Sequence, residues 1–218
     1  MCVHHGGECE EDTRYMKKEM TVTYIVDSAL YINVTNRCTN ACDFCIRKNG
    51  DGAYGSDSLW LLREPTEQEI LDSVFSRDLS EFTEIVFCGY GEPSIRLDTI
   101  INVAKKIKEK SSLPVRINTN GHSSLYHGYD TAPLYEGAFD CVSISLNTPS
   151  PERYDEICHP VKDGAHAAML DFAVKVKAYV PSVMLSVVKD FLTEEELREC
   201  RAIADSLGVF LKVRDYIS

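Results

Sequence analysis

The sequence predicts an α/β fold, a partial (βα)6-type TIM barrel with parallel strands. Apolar strand candidates alternate with amphipathic helix candidates along most of the chain, and that order implies parallel pairing through right-handed crossovers. The strands also alternate internally between apolar and polar residues, which gives the sheet one polar face. Six β-units in 218 residues suit an incomplete barrel better than an eight-unit one. A flat doubly wound sheet shares the first observation, so alternation by itself leaves it open.

The elements follow in order. Residues 1–20 are polar and aperiodic and read as a poorly ordered lead-in, within which Cys2, His4, His5 and Cys9 could also hold a metal. Residues 21–218 then form a single domain, because no linker or internal repeat interrupts them. "TVTYIVDSALYINVT" reads as a hairpin turning near Asp27–Ser28, leading into the first parallel strand at 30–35. Further strands are expected at 84–89, 115–121, 141–147, 183–190 and 210–217, and helices at 66–76, 97–110, 164–180 and 194–208. Thr66 with Glu69 and Thr193 with Glu196 stand at capping-box spacing, and Gly208 marks a helix end.

Side chains two apart in a strand share a face. Strand 141–147 therefore opposes Val142, Ile144 and Leu146 to Ser143, Ser145 and Asn147; strand 115–121 opposes Val115 and Ile117 to Arg116, Asn118 and Asn120. With helices on the apolar faces, the polar faces converge on an interior that needs hydrogen-bonding partners, hence a wet, ligand-holding cavity. An antiparallel sheet with its polar face in solvent is the competing arrangement, and the intervening helices oppose it.

Asp plus Glu number 34 against 23 Lys plus Arg, a formal charge of −11 that disfavours contact with a phosphate backbone. No apolar run approaches the ~18 residues of a membrane helix, and the N-terminus has no secretory pattern. A cytoplasmic, reducing location follows, where cysteines serve metals or catalysis or are simply buried.

"CTNACDFC" places Cys38, Cys42 and Cys45 directly after the first parallel strand, with the spacing C-x3-C-x2-C. Three thiolates leave one position open on a bound metal centre, as catalysis requires; zinc sites and ferredoxin runs also cluster cysteines. Cys88, Cys141, Cys158 and Cys200 offer no fourth ligand by local spacing and read as small buried hydrophobes. "GYGEP" (89–93), "NTNG" (118–121) and "SISLNT" (143–148) end the next three strands. Taken alone, the first of these is a turn with a structural Glu92.

Together these motifs resemble the radical SAM superfamily over roughly residues 28–217, and more narrowly the small TatD-associated radical SAM proteins. The resemblance implies that Cys38, Cys42 and Cys45 bind a [4Fe–4S] cluster, with the aromatic Phe44 before the last cysteine. It implies that S-adenosylmethionine (SAM) occupies the open iron, near Tyr90, Gly91, Glu92, Asn118, Asn120, Ser145 and Asn147. Tyr90 departs from the family's usual Gly, and its ring would crowd or contact the ligand. The implied reaction is reductive cleavage of SAM to a 5′-deoxyadenosyl radical that abstracts hydrogen from a small substrate. An electron donor such as flavodoxin or ferredoxin, and a functional link to a TatD-type hydrolase, come with it. A glycyl-radical-enzyme activase, a deazaguanine-forming synthase, and a non-catalytic iron–sulfur or zinc module are the alternatives.

For substrate, the loop 46–65 leaves the cysteines directly and is long enough to act as a lid. Lys212 and Arg214 share a face of the last strand and could meet an anionic group, or form ordinary surface ion pairs. His122 and His159 fall in predicted loops, as proton donors or as solvent-exposed histidines.

Overall fold

The computed structural model describes Met20–Tyr216. The expected lead-in, with Cys2, His4, His5 and Cys9, falls almost entirely outside the described residues. Seven strands form one sheet in sequential order: β1 (Thr23–Val26), β2 (Ala29–Ile32), β3 (Glu84–Phe87), β4 (Val115–Thr119), β5 (Cys141–Ser145), β6 (Ser182–Val188) and β7 (Phe210–Arg214). β1 and β2 are the antiparallel hairpin, with Asp27 in the left-handed region at its turn. Every later neighbouring pair is parallel. A doubly wound sheet reverses its strand order midway; this one does not, so right-handed crossovers carry all the helices to one face. The result is an open, partial barrel of six parallel strands.

The covering helices are α1 (Glu67–Phe75), α2 (Leu97–Lys110), α3 (Ser123–His127), α4 (Pro151–Cys158), α5 (Ala165–Val176) and α6 (Glu194–Leu207). Both expected capping boxes form, at Thr66–Glu69 and Thr193–Glu196, and Gly208 closes α6 in the left-handed conformation. The sequence expectation omitted α3 and α4. Ser150 caps α4 by accepting from the Arg153 N–H, and Pro151 occupies its first turn, so a start signal was present.

The apolar strand faces pack outward against the helices. Leu30, Ile32, Ile85, Phe87, Val115, Ile117, Val142, Ile144 and Leu185 belong to one buried cluster with Ile70, Ile100, Val103, Phe172 and Ala204 of the helices. The opposite faces line the interior, where strand register brings Tyr31, Val86, Arg116 and Cys141 into one row and Ser145, Ser186 and Lys212 into another. Arg116, nearly buried, is satisfied by a two-pronged contact with Glu84 (2.9 and 2.6 Å) and donates to Asn118 Oδ1 at 2.6 Å.

Phe87 is fully buried and meets Phe139 edge-on at 5.5 Å between ring centroids. Phe87→Ala is expected to cost about 3–5 kcal/mol, because the cavity adds to the lost transfer energy. A urea titration should show the midpoint falling with the slope unchanged.

Candidate functional site

Parallel strands put every strand-to-helix connection at the same end of the sheet, and ligands gather there. The cysteine loop follows β2, Gly89–Pro93 follows β3, Asn120–Gly121 follows β4 and Leu146–Thr148 follows β5. Main-chain bonds pin the cysteine loop from two sides. The Glu92 N–H donates to Arg37 O at 2.8 Å. From the cysteine loop, Ala41 N–H donates to Cys158 O at 3.0 Å and Asp43 N–H to Ile157 O at 2.9 Å, while Val161 N–H donates to Thr39 O at 2.9 Å. The Arg47 guanidinium, immediately beyond the third cysteine, reaches the carbonyls of Asn36, Asn40 and Tyr90 at 3.4 Å each.

Close approach explains the glycines beside Tyr90. A Cβ on Gly91 would stand 2.4 Å from Thr35 O and 2.5 Å from Arg37 O, and one on Gly89 would stand 2.1 Å from Asn33 Oδ1. Tyr90 turns its side chain to the loop that follows the cysteines. Its ring packs edge-on to Trp60 at 5.1 Å, its hydroxyl donates to Gly50 O at 2.8 Å, and it joins Tyr24, Val26, Ala53 and Leu59 in a second apolar cluster beneath the 46–65 loop. The departure from the usual glycine therefore serves to dock that loop.

The Glu92 carboxylate is buried, and its oxygens accept from Ser94 N at 3.0 Å, Thr119 Oγ1 at 2.7 Å and Asn120 N at 2.7 Å. Burial pushes this carboxyl above its ordinary pKa, against the pull of those donors. Asn120 donates through Nδ2 to Thr39 Oγ1 at 2.7 Å, tying the end of β4 to the cysteine loop.

His122 is a correction to the sequence expectation of a loop histidine open to solvent. It is 2% exposed, with Nδ1 at 3.1 Å from Thr39 Oγ1 and Nε2 at 3.2 Å from Tyr154 Oη, and Tyr154 is bonded by Asn40 Nδ2 at 3.0 Å. Burial lowers its pKa to about 4, so it is neutral near pH 7. His159 is exposed, caps α4 in the left-handed conformation and lies 3.0 Å from Asp43 Oδ1.

The remaining sequence candidates separate into two levels. Asn147 sits at the cysteine level with φ +62°, its Nδ2 donating to Cys158 Sγ at 3.4 Å and its buried Oδ1 without a partner among the described residues. Phe44 packs on Phe191 at 5.1 Å. Asn118 and Ser145 lie deeper, on the interior strand faces. Lys212 and Arg214 are exposed on β7, where no carboxylate pairs with either among the described residues. Among the described residues, Arg214 has one hydrogen-bond contact, with Ser186 Oγ at 3.5 Å. Asp215 pairs with Lys189 instead. Sequence reasoning missed Arg47, Tyr154 and Tyr54; the last is a half-exposed tyrosine at φ +54°, a conformation costing about 1–3 kcal/mol.

Cys38, Cys42 and Cys45 are all free and partly exposed on this loop. Burial and the nearby Glu92 charge push the Cys38 thiol up to about 12, and the Cys158 thiol and burial push Cys42 upward too. Bound iron reverses that logic by favouring the thiolate. Among the described residues no three His, Cys, Asp or Glu side chains are grouped closely enough for a single ion. A cuboidal cluster makes a different demand, since each thiolate binds a separate iron. Three soft donors on one pinned loop, beside a buried carbonyl oxygen lacking a partner, fit such a cluster carrying a polar ligand on its remaining iron.

The fold and this three-thiol loop define a barrel protein of the iron–sulfur type. The family model described as Radical SAM superfamily matches residues 32–202, and the chain belongs to that superfamily. Its members are enzymes using a [4Fe–4S] cluster and SAM. The GTP 3′,8-cyclase of Lactiplantibacillus plantarum is 28% identical over 159 residues, covering 72% of this chain and 44% of the relative. Human molybdenum cofactor biosynthesis protein 1 is 25% identical over 195 residues, covering 87% and 28%. The chain thus spans less than half the length of these curated relatives. In structure it is similar to Streptococcus suis SuiB bound to its precursor peptide SuiA (TM-score 0.67, 15% identity, 87% of this chain and 39% of that one). It is also similar to a radical SAM methyltransferase from Sphaerobacter thermophilus (TM-score 0.63, 15% identity, 88% and 57%).

A histidine held neutral by burial contributes stability that is complete above its ordinary pKa of 6.5 and is lost as pH falls toward 4. Between pH 7 and pH 5 His122 should account for about 2 kcal/mol of that loss. Urea unfolding of cluster-free His122→Gln, compared with wild type at both pH values, should show the dependence flattened by that amount; equal slopes would count against a buried neutral imidazole.

Proposed function

We propose that the chain is a radical SAM enzyme acting on a small, anionic substrate within the partial barrel. What carries the reading is the three-thiol loop, held between the ends of β3 and β4 and the end of α4, at the carboxyl ends of the parallel strands. Cys38, Cys42 and Cys45 are the cluster ligands. When bound, the cluster and SAM supply one-electron cleavage of a carbon–sulfur bond and the hydrogen abstraction that follows.

The chain's own residues position and recognise. Tyr90, Gly91 and Glu92 form the ledge for SAM's amino group: Glu92 shapes it from below through bonds to Ser94, Thr119 and Asn120, and main-chain acceptors of the ledge serve the ammonium. Asn147 offers the unpartnered Oδ1 to a donor on SAM, with Asn120, Ser145 and Asn118 completing the polar wall. Phe44 backs the third cysteine against Phe191. Lys212 and Arg214, lacking acidic partners among the described residues, meet the substrate anion. Tyr54 lies within electrostatic reach of Arg214 and forms the facing wall. Relatives named for GTP are named for an anionic compound, which supports the substrate class; their reaction is not carried over to a chain spanning less than half their length.

The wider context belongs to the same proposal. A small electron-transfer protein such as flavodoxin or ferredoxin reduces the cluster, and a cytoplasmic location keeps the free thiols reduced. One radical SAM domain spans 21–218. Kinship with the TatD-associated proteins, and a link to a TatD-type hydrolase, rest on the motif set alone. Among the described residues no helix is long and apolar enough to cross a membrane.

Anaerobic reconstitution with iron and sulfide is expected to yield one [4Fe–4S] cluster and, with dithionite and SAM, 5′-deoxyadenosine. Alanine at Cys38, Cys42 or Cys45 should abolish both. Bound zinc with no SAM affinity would identify a non-catalytic module instead, and a full cluster in the triple variant would send the ligands elsewhere.

Arg214→Ala is expected to leave SAM cleavage without substrate unchanged. It should weaken binding of inorganic pyrophosphate, used as a probe anion, by about tenfold, the worth of one charge-assisted hydrogen bond. Loss of the basal cleavage would move Arg214 to SAM's carboxylate, and unchanged affinity would remove it from the site.

A further inference from the structure

Cys158 lies outside the C-x3-C-x2-C triplet, yet it is the residue against which the triplet's loop is laid. It is fully buried at the last position of α4. The Ala41 N–H donates to Cys158 O at 3.0 Å and the Asp43 N–H to Ile157 O at 2.9 Å, so the two main-chain bonds bracket Cys42. Between them the two side chains are neighbours: Cys42 packs on the buried cluster that contains Cys158, and the Cys158 thiol together with burial pushes the Cys42 thiol upward. Behind Cys158, Asn147 Nδ2 donates to its Sγ at 3.4 Å. Asn147 is aimed there by a left-handed backbone at the end of β5 (φ +62°), a conformation that Asn tolerates better than most residues.

The donors in this chain run in one direction. Ligation removes the Cys42 proton and leaves its sulfur able only to accept. The Cys158 sulfur already accepts from the Asn147 amide, so its S–H is the donor available to Cys42. Hydrogen bonds to the ligating sulfurs withdraw electron density and help set the reduction potential of an iron–sulfur cluster. We infer that Cys158 is a positioning residue whose S–H, oriented by Asn147, hydrogen-bonds the Cys42 ligand sulfur and raises the cluster's reduction potential. This rests on the proposed ligation of the cluster by Cys42. It assigns a thiol that binds no iron to the control of how readily the cluster accepts its electron.

The test is a redox titration followed by electron paramagnetic resonance, on anaerobically reconstituted protein without SAM. Wild type is compared with Cys158→Ala and Cys158→Ser, with iron and sulfide content measured for each. The alanine variant is expected to hold a full cluster at a more negative midpoint potential. The serine variant, which keeps an O–H donor, should recover part of the shift. A full cluster whose potential does not move in Cys158→Ala, or moves equally in both variants, overturns the inference and leaves the ligation intact. If the alanine variant fails to retain iron, the serine variant decides: full iron near the wild-type potential supports the donor, whereas iron lost there too shows a packing role and overturns it. A wild-type protein that assembles no cluster overturns both this inference and the ligation beneath it.

Discussion

A carboxylate at 4% exposure with three donors aimed at it is the pivot of this end of the barrel. Glu92 draws Ser94 N, Thr119 Oγ1 and Asn120 N onto its two oxygens, and its own N–H is given to Arg37 O. One residue thereby joins the end of β3 to the end of β4 and to the strand-exit segment that leads into the cysteines. Removing a buried charge's partners, or the charge itself, exposes the remainder to a desolvation penalty of about 1–3 kcal/mol per orphaned group. The contacts therefore stand or fall together. Asn120 extends the tie to Thr39, and Thr39 to His122 and Tyr154, so the cysteine loop rests on a polar floor with few independent parts.

That floor also separates two demands on the interior. At the cysteine level most buried side-chain polar atoms are committed to another protein atom, Asn40 Oδ1, Asn147 Oδ1 and Thr148 Oγ1 being orphaned exceptions among the described residues. Deeper and toward β7 the pattern changes: Lys212 and Arg214 lack acidic partners among the described residues, whereas Arg116 is matched by Glu84. The interior thus divides into a densely hydrogen-bonded end beside the cysteines and a solvent-exposed basic edge at β7.

Much of this was legible in the sequence because it depends on period and order alone. The alternation Val142-Ser143-Ile144-Ser145 determines which side chains meet the helices: Val142 and Ile144 enter the helix-facing cluster, whereas Ser143 is buried on the other face. The hairpin turn, the two capping boxes and the helix stop at Gly208 are likewise local events, readable within a few residues. What could not be read depends on partners distant in the chain. His122 follows a glycine turn in a polar stretch and looks exposed, but Thr39 lies 83 residues before it and Tyr154 32 residues after. Tyr90 looked like an intrusion into the ligand site because its destination, the cluster around Leu59 and Ala53, exists only once the 46–65 loop has folded back. The strained Tyr54 carries no local mark either, since nothing in "DGAYGSD" distinguishes a left-handed tyrosine from an ordinary one.

The folded-back loop also reaches across to the far edge of the sheet. β1 and β7 are the free edges of the sheet, and the gap between them is bridged by side chains. Tyr216 donates its hydroxyl to Asn49 Oδ1 at 3.1 Å, and its ring meets Phe191, which in turn meets Phe44. Arg47 stands at the root of this bridge and holds the carbonyls of Asn36, Asn40 and Tyr90 together. Its five guanidinium donors allow one side chain to serve three acceptors, which a lysine's compact ammonium does less well. The segment that starts at the third cysteine therefore reaches both the end of β3, through Arg47 and Tyr90, and the chain just beyond β7, through Asn49 and Tyr216, so one stretch of chain joins the cysteine loop to the far edge of the sheet.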